Sequence, residues 1–90
     1  MANRFLKDPD AVLDYTIDWA LWLASGETIS TSVWTIPSGL TGSSQSISGT
    51  KTITWLSSGT AGNAYTVQNR ITTSASRTDD RSFIVIVEER

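Results

Sequence analysis

The fold is decided by the stretch Gly59-Thr-Ala-Gly-Asn-Ala-Tyr-Thr-Val-Gln-Asn-Arg-Ile-Thr-Thr73, which a polar turn at Ser74–Arg81 links to Ser82-Phe-Ile-Val-Ile-Val87. Tyr65, Val67 and Ile71 fall on one face of an extended segment with a period of two. The polar turn reverses the chain. The stretch therefore predicts the closing hairpin of an antiparallel β-domain, with Tyr65 at the position of a tyrosine corner.

Composition sets the class of protein. The sequence has 90 residues, which is enough for one small domain with a single core. It has no cysteine, so neither a disulfide nor a cysteine-based zinc site is available. It also has no histidine, which removes the usual general base and the commonest metal ligand. We therefore expect a protein that is not an enzyme and that binds no metal or other cofactor.

Charge and hydropathy exclude further classes. The formal net charge is −2, so the chain has no basic field that would hold nucleic acid. No apolar run approaches the roughly 18 residues of a membrane-spanning helix, and the first residues lack the apolar segment of a signal peptide. We expect no nucleic-acid or membrane partner, and a chain that stays in a cytoplasm or is assembled there into something larger.

Serine and threonine dominate the middle of the chain. They number 26 of the 90 residues, and between Thr28 and Asn69 the only charged residue is Lys51. Small and β-branched polar residues with almost no charge favour strands over helices. A disordered linker is the alternative, but apolar residues such as Trp34 and Trp55 recur through the segment and favour a folded one.

Turn signals divide residues 11–90 into the strands of one antiparallel β-sandwich, at the spacing typical of that architecture. The predicted strands are Val12–Asp18, Thr28–Ile36, Leu40–Ile47, Thr52–Leu56, Ala64–Ser74 and Ser82–Glu88. Residues 11–24 also fit a helical stripe. Poor helix formers favour a strand there, with at most one short helical turn near Trp19–Leu23.

The first ten residues form a segment of their own. Residues 1–10 mix charges with Phe5, Leu6 and Pro9, and they predict a flexible N-terminal arm. The alternative is an arm whose Phe5-Leu6 pair docks on a neighbouring protein. The remaining residues, 11–90, form the single predicted domain.

The last predicted strand carries an excess of apolar residues. A half-exposed strand alternates, whereas Phe83–Val87 is apolar at every position and so calls for cover on both faces. The N-terminal segment, a neighbouring subunit or nothing at all are the three possible covers of the second face. With a polar rim from the adjacent turn, the candidates for a protein interface are Phe5, Leu6, Arg77, Arg81, Phe83, Ile84 and Ile86.

Two alternatives use other residues. Trp34 and Trp55 lie on different predicted strands and are candidates for stacking on a sugar ring, although a small domain needs large aromatics for its own core. Asp14 and Asp18 share one face of an extended segment and are candidates for a two-carboxylate hydrolase. A cleft between such a pair is not expected in a domain of this size.

Several segments are distinctive as a set: Asp8-Pro-Asp-Ala-Val-Leu-Asp-Tyr-Thr-Ile-Asp-Trp19, Trp22-Leu-Ala-Ser-Gly-Glu-Thr-Ile29, Trp34-Thr-Ile-Pro-Ser-Gly-Leu40, and Gly59–Thr73 with Arg77-Thr-Asp-Asp-Arg-Ser-Phe83. Through them most of the chain, from Asp8 to Glu89, resembles a family of short structural proteins of tailed bacteriophages, the immunoglobulin-like fibre–tail adaptors. One departure is Ser76, where glycine would be expected in the hairpin turn. A serine is compatible with a turn in which φ stays negative.

The resemblance implies a fold and a role. The fold would be an all-β, immunoglobulin-like antiparallel sandwich of six or seven strands. The role would be that of a non-catalytic virion protein, present in several copies, which links the tail or baseplate to a receptor-binding fibre. The alternative function is a glycan-binding, lectin-like surface or fibre domain of a virion. The family has no catalytic residues to carry over.

Overall fold

The computed structural model describes residues 3–89. These residues form seven strands and no helix: β1 (Asn3–Lys7), β2 (Leu13–Asp18), β3 (Ile29–Thr35), β4 (Leu40–Ser48), β5 (Lys51–Ser58), β6 (Ala64–Thr73) and β7 (Thr78–Val87). A four-stranded sheet has the order β1-β7-β6-β3, and a three-stranded sheet has the order β2-β5-β4. Every pairing is antiparallel except that of β1 with β7. The strand order is that of an immunoglobulin-like sandwich, which confirms the predicted all-β class.

The strands β5, β6 and β7 bury one face each, as their alternating burial shows. In β6 the buried side chains are Tyr65, Val67, Asn69, Ile71 and Thr73, and the residues between them are exposed or half-buried. In β5 the buried positions are Thr52, Thr54 and Leu56. A period of two places successive side chains on opposite faces of a sheet. The two inner rows therefore meet between the sheets and form the core.

The main core cluster packs around Phe83 of β7. Its other buried members are Tyr15, Trp34, Leu40, Leu56, Tyr65, Val67, Val85 and Val87. Tyr15 stacks on Phe83 with ring centroids 5.4 Å apart, and Trp34 meets the same ring edge-on at 6.1 Å. Trp34 is buried on the third strand, where immunoglobulin domains carry their core tryptophan. Large rings thus fill the core of a chain that has no disulfide.

The β5–β6 connection forms the predicted tyrosine corner. The Tyr65 hydroxyl oxygen accepts a hydrogen bond from the backbone N–H of Thr60 at 3.0 Å. Asn63 Nδ2 donates to the same oxygen at 3.4 Å, and these donors lower the pKa of Tyr65. Gly39 has a φ of 103° and lies so close that an added Cβ would be 2.9 Å from the Tyr65 ring. Only glycine meets both demands without strain.

The N-terminal segment differs from the expected flexible arm. Asn3–Lys7 of that segment pair with Phe83–Val87 in parallel register as β1, while residues 1 and 2 lie outside the described part. Lys7 is fully buried, and its ammonium donates to the carbonyls of Ser58 at 2.6 Å and Asp8 at 2.9 Å. Burial lowers the pKa of Lys7. The buried stem and these two bonds attach the segment to the sandwich, which its polar sequence did not reveal.

Two turns lie at one end of the sandwich, one after β2 and one between β6 and β7; the first agrees with the sequence prediction and the second differs from it. After β2, the N–H groups of Trp22 and Leu23 both donate to the Trp19 carbonyl, which makes the single expected turn. The β6–β7 turn is shorter than predicted, because β7 already begins at Thr78. Within it, Ser76 has a φ of 61°. The condition under which serine fits this turn without strain, a negative φ, is therefore not met, and Ser76 occupies a left-handed conformation that glycine adopts more easily.

A buried polar network joins the two sheets at the same end. Trp19 Nε1 donates to Thr52 Oγ1 and to Asn69 Oδ1, both at 3.2 Å, and Thr52 Oγ1 donates to Asn69 Oδ1 at 2.7 Å. Asn69 Nδ2 then donates to Ser32 Oγ at 2.9 Å. Buried polar groups are tolerated when they are hydrogen-bonded. This network fixes the Trp19 ring, which is fully buried.

Candidate interaction surfaces

The outer face of the four-stranded sheet carries an apolar patch. On β7 the inward residues Phe83, Val85 and Val87 are buried, whereas Ile84 and Ile86 face outward and are half-buried. The sheet register places Leu6 on β1 and Ala64 on β6 on either side of Ile86. We call Leu6, Ala64, Ile84 and Ile86 the apolar patch.

The apolar patch is not covered by the N-terminal segment. β1 lies beside β7 in the same sheet, so it widens the outer face without folding over it. Leu6 itself is 50% exposed. Among the three covers considered for β7, the first is therefore not provided by residues 3–89, and the patch stays open within this described part. Contiguous exposed apolar area of this kind is typical of an interaction site.

The two phenylalanines among the interface candidates close the edge of the sandwich. Phe83 is buried in the core. Phe5 meets Tyr15 at 5.2 Å and Phe83 at 5.4 Å, edge-on in both cases, and keeps 37% of its surface exposed. Edge-to-face packing of this kind stabilises a core. Both rings therefore pack within the chain, and Phe5 is also partly exposed at the surface.

Arg77 binds a carboxylate that is distant in sequence. Its guanidinium forms a two-point contact with Glu27, with Nε 2.9 Å from one carboxylate oxygen, and lies 4.3 Å from the centre of the Trp22 ring. The Glu27 side chain is only 3% exposed and also accepts from the Thr73 hydroxyl and the Ala24 N–H. Arg77, followed by Thr73 and Ala24, lowers the pKa of Glu27 to about 2.

Arg81, four residues further along the chain, is held in a similar way. Its guanidinium lies 4.4 Å from the centre of the Trp19 ring and donates to the Asp18 carbonyl at 3.0 Å. Asp80 of β7, which the sequence placed in the turn, instead forms an exposed two-point pair with Arg70 of β6 at 2.7 and 3.1 Å. The two arginines predicted as an interface rim thus pack mainly against their own chain.

The outer face of the three-stranded sheet has a different character. Its central strand, β5, presents Trp55, which is 38% exposed, and the half-buried Ile53. The register places Asp14 of β2 and Ser43 of β4 on either side of Trp55. Trp34, by contrast, is buried in the core, so the two tryptophans do not form one platform for a sugar ring.

The described residues form no metal-binding group, and the two candidate carboxylates Asp14 and Asp18 are far apart. Within residues 3–89 there is no group of three or more His, Cys, Asp or Glu side chains that could hold a metal ion. Asp14 and Asp18 are four residues apart on one strand, which separates them by about 13 Å. Paired carboxylates of glycosidases lie roughly 5–10 Å apart. A groove beside β4 is lined by Ser32, Gln45, Ser46 and Ile47, none of them ionisable. No helix in the described part is long and apolar enough to cross a membrane.

Comparison with models of protein families identifies a match. The model of a protein family described as podophage GP4 fiber-tail adaptor protein gp77 matches residues 7–86. The matched region begins at the buried Lys7 and ends within β7, so it includes both sheets. Among curated proteins no match is found. The glycan-binding alternative gains no support from either comparison.

Proposed function

Because the chain belongs to the family of podophage GP4 fiber-tail adaptor proteins, we propose that it joins the tail to a fibre through protein contacts alone. Membership makes the chain a structural virion component that interacts with tail and fibre proteins. The finer features are part of the proposal: several copies in each virion, synthesis in the cytoplasm of the bacterial host, and no role for nucleic acid or catalysis.

The observation that carries the proposed mode of binding is the apolar patch. Leu6 of β1 is directly paired with Ile86 of β7, and Ile84 lies two residues before Ile86 on the same outer face of β7. Burial of apolar area is the main favourable term in most protein association. A few central apolar anchors commonly carry most of the binding energy of such an interface. We propose that one of the two virion partners packs on this patch.

The proposed absence of catalysis rests on the side chains available. The sequence has no histidine or cysteine to act as base or nucleophile. Glu27 and Asp80 are engaged by Arg77 and Arg70, and arginine pairing keeps a carboxylate ionised rather than ready to exchange a proton near neutral pH. These features support a role in binding.

The proposal is tested with purified chain, tails that lack the adaptor, and the isolated fibre. Leu6→Ser and Ile86→Ser are expected to weaken binding to one of the two partners by about tenfold or more, as loss of an interface anchor does. Val33→Ser is the matched control, because Val33 is 57% exposed on the outer face of the same sheet but lies on the far strand, β3. Thermal unfolding checks that each variant is folded.

Two results would refute the proposal. Wild-type chain that binds neither tails nor fibres would remove the adaptor role itself. If the wild type binds, and Leu6→Ser and Ile86→Ser bind as tightly as the control Val33→Ser, the apolar patch is not the contact surface.

A further inference from the structure

Two of the four tryptophans lie under an arginine that also donates a hydrogen bond to an oxygen of an acidic residue, a carboxylate oxygen in one case and a backbone carbonyl in the other. Trp22 lies under the Arg77 guanidinium, which binds the Glu27 carboxylate. Trp19 lies under Arg81, which donates to the backbone of Asp18. In each case a guanidinium is attracted to the face of an indole and to an acceptor beside it.

Trp55 and Asp14 form the same combination without the arginine. They are directly opposite each other on β2 and β5, both are exposed, and no arginine of residues 3–89 lies over Trp55. The nearest cation along this face is Lys51, which stands opposite Asp18 at the other end of the paired strands. The remaining tryptophan, Trp34, is buried.

We propose that Trp55 and Asp14 bind an arginine side chain of a neighbouring virion protein. The inference rests on the proposed function, because it assigns a second partner surface to the adaptor. The guanidinium stacks on the outward face of the indole, and the Asp14 carboxylate accepts its N–H groups. Ile53 and the hydroxyl of Thr16, which are paired in the next outward row, border the contact.

The spacing of the two side chains suits this ligand. Directly opposite residues on antiparallel strands have Cβ atoms about 4.5–5.5 Å apart. A guanidinium within about 6 Å of the ring centre is therefore within reach of the carboxylate. Within the chain, Arg77 already makes both contacts at once, 4.3 Å from the Trp22 ring centre and 2.9 Å from a Glu27 oxygen.

Charge and shape favour arginine over the other ligands of an exposed indole. Asp14 is an acceptor that attracts a cation, in a chain whose net charge is −2. Arginine offers a planar group that stacks and donates two parallel hydrogen bonds, whereas lysine is a point charge that does not stack in this way. A neutral sugar ring would also stack on Trp55 and donate hydroxyl hydrogen bonds to Asp14, but it lacks the attraction between opposite charges that arginine gains there.

The position of Trp55 suits a protein with two partners. Trp55 is on the outer face of the three-stranded sheet, and the apolar patch is on the outer face of the other sheet. Packed sheets lie about 10 Å apart, and their outer faces point in opposite directions. Two proteins can therefore occupy the two faces at the same time.

The test measures equilibrium binding of the chain to adaptor-free tails and, separately, to the isolated fibre. Trp55→Ala and Asp14→Asn are expected to weaken binding to the same one partner, each by about 10- to 100-fold. Trp55→Phe should have a smaller effect, because phenylalanine offers a weaker face to a cation. Asp10→Asn is the control for loss of an exposed aspartate from another surface.

Ionic strength gives a second readout. Raising the salt concentration from about 0.05 to 0.5 M should weaken binding of the wild type, since exposed charges are screened. The same change should affect Asp14→Asn less. A contact made only by apolar packing of Trp55 would show no such difference between the two proteins.

The outcomes separate this inference from the proposed function. Trp55→Ala and Asp14→Asn that bind both partners like the wild type would overturn the inference while the adaptor role stands. Loss of host polysaccharide binding in Trp55→Ala, with both protein partners retained, would overturn it in favour of a glycan site. Wild type that binds neither tails nor fibres would overturn both. If Trp55→Ala and Asp14→Asn weaken binding while Leu6→Ser and Ile86→Ser do not, the inference is supported. Only the role of the apolar patch as a contact surface is then refuted.

Discussion

The end of the sandwich around Trp19 and Trp22 and the outer face around Trp55 use the same residue types for different purposes. At the end, each indole is covered by an arginine of the same chain, and Trp19 is fully buried. On the outer face, Trp55 is 38% exposed beside a carboxylate and carries no arginine of the described chain. A tryptophan that its own chain covers stabilises the fold, whereas the exposed Trp55 is available to a partner.

Substitution of the tryptophans should give the largest difference in stability between the two regions. Trp19→Ala should lower the free energy of unfolding by about 3–5 kcal/mol, because it leaves a cavity and removes a donor from a buried network. Trp55→Ala should change it by less than about 1 kcal/mol, as exposed positions generally do. Urea unfolding followed by circular dichroism measures both values. Equal losses in the two variants would mean that Trp55 belongs to the core.

The pH dependence of the free energy of unfolding tests the contribution of the Glu27–Arg77 pair at this end of the sandwich. Arg77 and its neighbours lower the pKa of Glu27 from 4.5 to about 2. A carboxylate with a lowered folded-state pKa stabilises the fold above its unfolded value, and this stabilisation is lost as the pH falls from about 4.5 towards 2. Glu27→Gln should therefore be less stable than the wild type at pH 7, and the gap should close across that interval.

The control for this prediction removes the other member of the pair. Arg77→Gln deletes the largest cause of the Glu27 pKa shift, so its free energy of unfolding should depend less on pH than that of the wild type over the same interval. Parallel pH profiles for the wild type and both variants would show that the Glu27–Arg77 contact contributes nothing to stability in solution.

A smaller effect is expected at the turn that positions Arg77. Ser76 has a φ of 61°, a left-handed conformation that costs a non-glycine residue roughly 1–2 kcal/mol. Ser76→Gly should raise the free energy of unfolding by up to about 1 kcal/mol, since the greater flexibility of unfolded glycine offsets part of the gain. Ser76→Ala keeps the steric cost and should bring no gain. Equal stabilities of the serine and glycine proteins would show that the turn relaxes.

Local patterns were enough to predict most of the fold. Alternation placed Tyr65, Val67 and Ile71 on the inner face of β6, and the glycine-marked corner before Tyr65 gave the tyrosine corner. These features depend on residues close together in the sequence. The resemblance to tail adaptors also came from short segments, and the family match confirms it.

Contacts between distant residues could not be predicted in the same way. The parallel pairing of β1 with β7 joins the two ends of the chain, and no local periodicity records it. Arg77 reaches Glu27 across 50 residues, and no local pattern pairs the two. One signal was available: Glu27 is the only charged residue between Asp18 and Lys51, and a single carboxylate in such a stretch calls for a partner.

The residues predicted to bind a partner also could not be placed on a particular face from local sequence alone. The apolar run of β7 drew attention to Ile84 and Ile86, which the structure places on an outer face, but the same run includes the buried Phe83. Trp55 and Trp34 were indistinguishable as aromatic residues of a strand. Only the pairing of strands shows that one lies in the core and the other beside Asp14.

The most direct test of the two-surface account is the structure of the tail–fibre junction in the intact virion by electron cryo-microscopy. The account predicts that one neighbouring protein packs on Leu6, Ile84 and Ile86. It also predicts that the other places an arginine within about 6 Å of the Trp55 ring centre and in hydrogen-bond contact with Asp14. A junction in which Trp55 faces solvent and no arginine contacts Asp14 would contradict it.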